Sequence, residues 1–463
     1  MKIGLKRKIN DQIVIFTAGI GLFLSTLDTG IINVALPALA QTFHSSISVI
    51  SWTVTLYTLV LTGTIIIFGR LSDNVGRLKV YSLGLIVFLL ASILCSLSHS
   101  PGQLILFRAI QGIGAAMLQA TAAAIITTTI PKERIGSALG TLGMLIAAGP
   151  VLGPSLGGLL ISIGSWRWIF LINVPISVIG LSGCVLIRKK VKELRNNFKL
   201  DLIGNILLSV SILFILWGLS IWPIKGLLSF YTVIPFVVFI ILFTAFIIWE
   251  IHTRHPIIDL RLFRCGSLSA SILAVLIFGG ATSLGFIVPP YFLEHVKHLL
   301  PWQTGIVNLS APMALVIFSK VSGQLIKKVQ TTHLMITGIL IMASAYGTLG
   351  GMEVNWSPFL ISGILFIYGI GAGLFQPPNT AAIMGAVPYE IQGTIGAVQR
   401  MVQNLGIALY TVIATALIQG HSHNGINDLM NGYQGAWIFA AITLVLSLLT
   451  FVFVFIRCQV KSI

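Results

Sequence analysis

Long apolar stretches alternate with short polar breaks along the entire chain. A helix that spans the hydrocarbon core of a bilayer needs about 20 mainly apolar residues, and fourteen stretches approach or exceed that length. The predicted spans are residues 12–36, 47–68, 80–98, 102–129, 137–163, 168–187, 202–222, 229–250, 268–293, 302–322, 334–351, 356–380, 394–418 and 435–456. The polar breaks are too short to fold as separate soluble domains. The pattern therefore predicts an all-α membrane protein with fourteen transmembrane helices, and an even number places both termini on one side.

The composition is that of a chain solvated by lipid. Of the 463 residues, 56% are hydrophobic and only 9% are charged, whereas roughly a quarter of a soluble domain is charged. Four cysteines stand singly in or beside apolar stretches, at Cys95, Cys184, Cys265 and Cys458. Their spacing matches neither a metal motif nor a disulfide framework. We interpret them as packing residues and expect no metal site.

The net charge of +16 follows the topology. Twenty-two of the 28 lysines and arginines fall in the terminal segments and in those connections that share their side of the membrane. The opposite connections hold only Arg167, Lys225 and Lys297. This asymmetry places both termini in the cytoplasm, next to the anionic inner leaflet. The charge therefore does not indicate a nucleic-acid partner.

The connection between the second and third spans has an unusual sequence, GRLSDNVGRLK at residues 69–79. Gly69 and Gly76 permit a tight turn. Asp73 is able to cap a helix N-terminus or to pair with a cation, for which Arg77 is available. On these residues alone, an ordinary charged turn on the cytoplasmic side is the alternative interpretation.

The spacing G-x-L-S-D-x-x-G-R of this connection resembles the cytoplasmic signature loop of the major facilitator superfamily. The family usually has a further basic residue after the aspartate, where this chain has Asn74. LDTGIINVALP at residues 27–37 resembles the first-helix motif of drug/proton antiporters. FQPPNTAAIMGAVP at 375–388 resembles a stretch from the second half of the chain in the 14-helix branch of these antiporters.

Two further stretches carry the same resemblance. RAIQGIGAAM at 108–117 is similar to the fourth-helix motif of the family, and GPVLGPSLGG at 149–158 is similar to its fifth-helix antiporter motif. The matching residues are Arg108, Gln111, Gly112 and Gly114, then Gly149, Gly153, Pro154, Gly157 and Gly158. Together with fourteen spans, these stretches resemble the 14-helix drug/proton antiporter branch over essentially the whole chain.

The resemblance implies a fold of two six-helix bundles related as parallel repeats, with two helices inserted between them. The expected domains are an N-terminal bundle at 1–187, a basic linker and two inserted helices with flanking loops at 188–267, and a C-terminal bundle at 268–463. The resemblance also implies a cytoplasmic gate at Gly69, Asp73, Gly76 and Arg77. In the second half, SGQLIKK at 322–328 has Lys327 where the gate aspartate would stand.

Asp28 is the only acidic residue deep in a predicted span. A charge in an apolar medium is costly unless it is paired or protonated. Burial favours the neutral acid and a nearby cation favours the carboxylate, so a site that opens to either side in turn is able to take up a proton outside and release it inside. We interpret Asp28 as a proton carrier; the alternative is a buried aspartate that only stabilises packing.

Arg108 lies several residues inside the fourth span. Its helical face also carries Leu104, Gln111, Gly112 and Ala115. Such a polar, small-residue face indicates a cavity or a close helix contact, and intramembrane ionisable residues are functional by default. We therefore assign Arg108 to proton coupling. The alternative is an arginine whose head group reaches the interface.

Three residues remain as candidates for substrate binding or a secondary proton site: Gln111, Glu294 and Arg400. Glu294 closes the ninth span, where a position at a solvated helix end is the favoured interpretation and a second cation-attracting carboxylate is the alternative. Arg400 either lines a cavity or reaches the cytoplasm. In 149–158, the glycines permit close helix packing, while Pro150 and Pro154 weaken the backbone ladder.

These features predict proton-coupled efflux of amphipathic or lipophilic drugs, often cationic, by alternating access across the cell membrane. Alternatives are an exporter of one antibiotic, lipid or metabolite, and an uptake symporter, against which the antiporter stretch argues. The sequence contains no nucleophile–base constellation and no phosphate-binding glycine loop, so we do not expect an enzyme. We expect a monomer that needs no cofactor and whose partners are protons, a small-molecule substrate and the bilayer.

Overall fold

The computed structural model describes residues 2–191, 201–253, 256, 260–264, 266–421 and 426–460. The α-helices, numbered in chain order, are α1 (Lys2–Thr42), α2 (Ile47–Ile50), α3 (Trp52–Val75), α4 (Arg77–Ser96), α5 (Pro101–Thr129), α6 (Lys132–Ile163), α7 (Trp168–Leu171), α8 (Asn173–Ile187), α9 (Leu202–Lys225), α10 (Phe230–His252), α11 (Gly266–His295), α12 (Pro301–Asn308), α13 (Ser310–Leu325), α14 (Thr331–Leu349), α15 (Pro358–Gly385), α16 (Gln392–Gly420) and α17 (Ile426–Val460). Two short 3₁₀ helices, Leu260–Arg264 and Tyr389–Ile391, complete the regular structure of these residues.

The fourteen predicted spans are confirmed, since the described residues form fourteen helical segments long and apolar enough to cross a membrane. Outside the described residues lie most of the predicted basic linker (192–200), Arg254, Cys265 and Lys461. Large apolar side chains such as Val185 and Phe453 are exposed, as expected for surfaces that face lipid. The all-α fold class is therefore confirmed.

Local signals in the sequence determine where several helices begin and end. The Ser100 hydroxyl accepts a hydrogen bond from the Gln103 N–H at 3.3 Å, and Pro101 occupies the first turn of α5. Ser357 caps α15 in the same way, through the Leu360 N–H at 3.2 Å. A serine followed by proline starts a helix efficiently because it satisfies one free N–H and removes another.

The turn predicted for residues 69–79 is confined to Gly76, which has a φ of 120° and separates α3 from α4. That backbone conformation strongly favours glycine. The prediction of a turn at Gly69 was wrong, because Gly69 lies within α3. There its missing side chain matters for packing: an added Cβ would lie 2.6 Å from the Cβ of Ala397.

The described chain forms two compact units. The first contains Met1–Phe214, Phe239–Ile258 and Val387–Met401, and the second contains Ile215–Val238, Asp259–Ala386 and Val402–Ile463. These units are defined by internal contacts and do not test the bundle boundaries expected from the resemblance, which stay a prediction.

In the first unit, α1 packs along α6 through glycines. An added Cβ on Gly153 would lie 2.8 Å from the Cα of Gly30, and one on Gly149 would lie 2.7 Å from the backbone nitrogen of Leu27. Gly157 also faces α1, whereas an added Cβ on Gly158 would meet nothing within 4 Å. Missing side chains let the two backbones approach, so Gly149, Gly153 and Gly157 allow α6 to pack closely against the part of α1 that carries Asp28.

The second unit contains an aromatic cluster between α14, α15 and α17. The rings of Tyr346 and Tyr368 stack with centroids 4.4 Å apart, and the Trp437 ring lies 4.8 Å from that of Tyr346. The Tyr346 hydroxyl donates to the carbonyl oxygen of Ala281 on α11 at 2.6 Å. Each phenol thus packs its ring in the interior while its hydroxyl finds a polar partner.

Candidate functional site

A buried ion pair joins α1 to α5 inside the first unit. Arg108 donates from Nη1 to Oδ2 of Asp28, and the exposed fractions of the two side chains are 0% and 2%. The Arg108 Nε also donates to the carbonyl oxygen of Thr53 at 3.1 Å. The guanidinium lies over the Tyr57 ring, 4.2 Å from its centroid, where the ring quadrupole attracts the cation.

Two side-chain amides bind the other oxygen of Asp28. Its Oδ1 accepts hydrogen bonds from Gln111 Nε2 at 3.0 Å and from Asn173 Nδ2 at 2.9 Å. Gln111 in turn accepts from Arg108 Nη1 at 2.7 Å and donates to the hydroxyl of Ser92 at 2.9 Å. Among the described residues, every direct hydrogen-bond partner of Asp28 contacts it through a donor.

Helix geometry brings these groups together. Arg108 and Gln111 are three residues apart on α5, so both point to the same side. Asn173 is the first residue of α8, directly after the break that separates this helix from α7. Leu104, Gln111, Gly112 and Ala115, which share the predicted face of α5 with Arg108, are all buried.

Two polar atoms of this network have no hydrogen-bond partner within the described part of the chain. They are Nη2 of Arg108 and Oδ1 of Asn173, and both are buried. Buried polar atoms are rarely left without a partner. Within the described residues, the network therefore contains one donor and one acceptor that are buried without a partner.

Sequence reasoning identified Asp28, Arg108 and Gln111 but missed Asn173 and Tyr57. The signal for Asn173 was present, since it is the only amide residue in the apolar stretch 168–187. Tyr57 gave no signal, because a tyrosine in an apolar span is compatible with simple packing.

A second buried cluster surrounds Asp73 in the last turn of α3. Its Oδ1 accepts from Arg77 Nη2 at 2.8 Å and from the Gly393 N–H at 3.0 Å. Its Oδ2 accepts from the backbone N–H of Thr394 at 2.8 Å and from the Thr394 hydroxyl at 2.9 Å. Asp73 thus makes both predicted contacts: it caps the N-terminus of α16 and pairs with Arg77.

Neighbouring contacts strengthen this attachment of residues 387–401 within the first unit. Arg77 Nη2 also donates to the carbonyl oxygen of Tyr389. The Thr127 hydroxyl at the end of α5 donates to Oε1 of Gln392 at 2.7 Å. Residues from α3, α4 and α5 therefore hold the start of α16, but the role of a gate stays a prediction.

Segments next to α9 and α10 contact the same end of α3 within the first unit. Arg70 Nη2 donates to the carbonyl oxygen of Pro256 at 3.3 Å, and its charge interacts with those of Asp73, Glu250 and Asp201. Asp201 also accepts from the indole Nε1 of Trp249 at 2.8 Å. Arg70 thus links the signature region to the segments before α9 and after α10.

Of the three candidates for substrate binding or a secondary proton site, Glu294 and Arg400 are the two that make no direct contact with Asp28 in the described part of the chain. Glu294 lies near the end of α11 and Arg400 lies in α16, and both are partly exposed. Neither is among the hydrogen-bond partners of Asp28 in the described part of the chain. In the residues described, no group of three or more His, Cys, Asp or Glu side chains is able to hold a metal ion.

Comparison with known proteins identifies the family. The sequence profile described as Major Facilitator Superfamily matches residues 18–411. The riboflavin transporter RibZ of Clostridioides difficile (strain 630) is 31% identical over 461 residues, which cover 97% of this chain and 99% of that protein. The multidrug resistance protein B homolog of Mycobacterium tuberculosis (strain ATCC 25618 / H37Rv) is 29% identical over 413 residues, 86% of this chain and 76% of that protein.

Two further comparisons extend this result. The tetracenomycin C resistance and export protein of Streptomyces glaucescens is 25% identical over 404 residues, 87% of this chain and 75% of that protein. The crystal structure of the human organic anion transporter MFSD10 (TETRAN) superposes with a TM-score of 0.66 at 15% identity, covering 95% of this chain and 99% of that chain. The fold and the predicted family are therefore confirmed, and the chain belongs to the major facilitator superfamily as a multi-pass transporter of the cell membrane.

Proposed function

We propose that this transporter exports amphipathic or lipophilic molecules, often cationic drugs, in exchange for protons, and that Asp28 carries the proton. The observation that carries the proposal is the buried pair of Asp28 and Arg108. A pair that served stability alone would gain little there, because the desolvation of two charges offsets much of their attraction. A carboxylate that must alternate between charged and neutral forms, in contrast, needs a cation beside it in one state.

The proposed cycle uses this balance. When Asp28 is ionised, Arg108, Gln111 and Asn173 hold it in place, and the charges of the pair cancel. When Asp28 takes up a proton, Arg108 loses its counter-ion while its stacking on Tyr57 and its bond to Thr53 remain. The change in charge shifts the preference of the bundle for one orientation, which is how a local protonation drives a conformational change.

The membrane potential supports this direction of exchange. Each net positive charge that enters releases about 2.3 kcal/mol per 100 mV. The proton gradient thus supplies the energy, and the proposed mechanism requires no cofactor. We propose that one chain completes the cycle, because the proton site lies entirely within one compact unit.

The Asp73 cluster is the proposed cytoplasmic gate, formed with Gly69, Gly76 and Arg77. Its carboxylate caps α16 only while residues 387–401 remain packed on α3 and α4. Separating these residues breaks several charge-assisted hydrogen bonds, so the cluster would stabilise the state in which residues 387–401 are packed on α3 and α4. Glu294 and Arg400 remain candidates for substrate contact or a secondary proton site.

The range of substrates is proposed from the relatives. One is named for multidrug resistance and another for resistance to and export of tetracenomycin C. A second candidate function is transport of one planar metabolite, favoured by the riboflavin transporter, which matches this chain over almost its full length. The two candidates share the proton site and differ in the cavity, so they are tested with different substrates.

The proton-carrier role is tested with purified protein in liposomes that contain a pH-sensitive dye. We expect a lipophilic cationic dye, added with an imposed gradient, to induce proton flux through the wild type and none through Asp28→Asn. Asp11→Asn is the matched control, because Asp11 is also buried and ion-paired, with Arg134 at 2.6 Å and Lys190 at 2.5 Å. Wild-type flux in Asp28→Asn would overturn the assignment.

The choice of substrate is tested in the same vesicles. Export of several unrelated lipophilic dyes supports the multidrug proposal. Flux induced by riboflavin alone supports the single-metabolite alternative. Flux that moves substrate and protons in the same direction would reject exchange in favour of symport.

A further inference from the structure

Asn173 lies beside Asp28 with its side-chain oxygen unused. Its side chain is fully buried, and Nδ2 donates to Asp28 Oδ1 at 2.9 Å. Its own Oδ1 has no partner within the described residues. A buried carbonyl oxygen without a donor carries a desolvation cost, so a use for that oxygen in another state of the site is expected.

A protonated Asp28 would require a hydrogen-bond acceptor, and the side-chain oxygen of Asn173 is one. The neutral acid has an O–H that must donate to an acceptor, yet the present partners of Asp28 all contact it through donors. The Oε1 of Gln111 already accepts from Arg108 at 2.7 Å. The oxygen of Asn173 is the vacant acceptor on a side chain that already touches the carboxyl group.

The amide reaches the alternative orientation without moving the backbone. The terminal torsion of asparagine is broad and roughly two-fold, so a half turn exchanges Nδ2 and Oδ1 at almost the same positions. The vacant oxygen then faces Asp28. No bond other than the O–H of the acid is formed, and its proton comes from the water on the open side.

We propose that Asn173 is a two-state positioning residue for the proton on Asp28. It donates to the carboxylate when Asp28 is ionised, and after protonation its amide turns and accepts the O–H. This inference rests on the proposed proton-carrier role of Asp28. It explains why an asparagine, which offers a donor and an acceptor of equal reach, stands at the start of α8.

The other titratable groups around Asp28 do not offer the same choice. Arg108 on α5 has only donors. The Tyr57 hydroxyl on α3 is directed to the carbonyl oxygen of Ser25 at 3.3 Å. Cys95 on α4 contacts Gln111 Oε1 through its sulfur at 3.8 Å. From α6, Gly149, Pro150 and Gly153 lie against this turn of α1, and none of these residues titrates.

The direction in which a loss of Asn173 shifts the pH dependence of proton flux follows from the strengths of its hydrogen bonds to the ionised and to the neutral Asp28. A bond to a carboxylate is stronger than one to the neutral acid, so the loss of Asn173 weakens the ionised state more. In Asn173→Leu we therefore expect the pH of half-maximal substrate-induced proton flux to rise by about one unit, a tenfold change in proton affinity. Asn173→Ser, which keeps a donor and an acceptor, should recover part of that shift.

Ser177→Ala is the matched control. Ser177 lies one turn further along α8, is fully buried, and its hydroxyl has no partner in the described part of the chain. Its loss disturbs the packing of the same helix without removing a contact to Asp28. We expect its pH profile to coincide with that of the wild type, so a shift in both variants would reject a specific role for Asn173.

Infrared difference spectra of the wild type between acidic and alkaline pH test the turning amide directly. Asp28 should contribute a carboxylic-acid band that is absent from Asp28→Asn, and Asn173 an amide carbonyl band that shifts with it and is absent from Asn173→Leu. A carboxylic-acid band that is intact in Asp28→Asn overturns the proton-carrier role. A band that depends on Asp28, without any amide shift, overturns the present inference alone.

The spectra keep the inference testable even if Asn173→Leu does not fold, because isotope-labelled wild-type asparagine and Asn173→Ser then report the amide. An unchanged or lowered pH midpoint in a folded Asn173→Leu protein also overturns it.

Discussion

Asp73 and Thr394, which lie 321 positions apart in the chain, are joined by two hydrogen bonds to one carboxylate oxygen. The backbone N–H of Thr394 donates to Oδ2 at 2.8 Å and the Thr394 hydroxyl at 2.9 Å. The contact fixes the first turn of α16 with a charge, at the end of the helix where free N–H groups collect.

Asp73→Asn should slow the transport cycle about tenfold while the substrate affinity changes little. The amide cannot replace a charge that accepts from Arg77, Gly393 and Thr394 together, and one hydrogen bond to a charged group contributes about 1.5–3 kcal/mol. Turnover and substrate binding are measured separately in liposomes. Thr394→Val, which removes only the hydroxyl, should show a smaller loss. A large loss of affinity at normal turnover would contradict the gate.

Arg108→Ala should abolish proton coupling and still allow membrane insertion. The variant leaves Asp28 buried without its cation, so Asp28 must be protonated for the protein to remain folded. Its stability is therefore retained at acidic pH and is lost as the pH rises, unlike that of the wild type. Unfolding temperatures of the variant and the wild type, measured in detergent from acidic to alkaline pH, show whether the stability of the variant falls as the pH rises. Export is compared at equal expression. Normal export by the variant would show that Arg108 is structural.

Gly153→Ala should separate α1 from α6 and destabilise the first unit by about 1–3 kcal/mol, the usual cost of an overpacked contact. The added Cβ would lie 2.8 Å from the Cα of Gly30, a backbone atom and not the end of a flexible side chain, so the contact is relieved only by a shift of the helix. We also expect proton leak in the absence of substrate, measured in dye-loaded liposomes.

Gly158→Ala is the control within the same motif. An added Cβ there meets nothing within 4 Å, and alanine favours a helix over glycine. Its unfolding temperature should therefore be unchanged or higher. Equal effects of the two substitutions would contradict the close contact between the helices.

Replacing Arg134 and Lys190 together should destabilise the protein by more than the sum of the two single replacements. Asp11 is buried, and Arg134 and Lys190 each pair with it from partly exposed positions. Each of Arg134→Gln and Lys190→Gln leaves one cation in place, so we expect less than about 1 kcal/mol from either, after screening by solvent. The double variant leaves a buried carboxylate unpaired. A double-mutant cycle of unfolding temperatures measures the coupling, and simple additivity would reject it.

Much of the fold and part of the site could be read directly from the chain. The lengths of the apolar stretches and the distribution of lysine and arginine both reflect the free-energy cost of moving polar groups into lipid. That cost applies to each segment separately. The same cost made Asp28 and Arg108 conspicuous. Their roles in proton coupling, and that of the Asp73 cluster as a gate, stay predictions for the experiments above.

Tertiary structure decided which residues meet. Asn173 lies 145 positions from Asp28, and Thr394 lies 321 from Asp73; no periodicity within a helix relates such pairs. It also assigned different tasks to glycines of one motif, since Gly153 touches α1 and Gly158 faces open space. Hydropathy is a property of a segment and is legible in its composition, whereas a hydrogen bond between helices depends on their relative rotation and depth. The sequence alone therefore determined the spans and the family, and packing determined the partners.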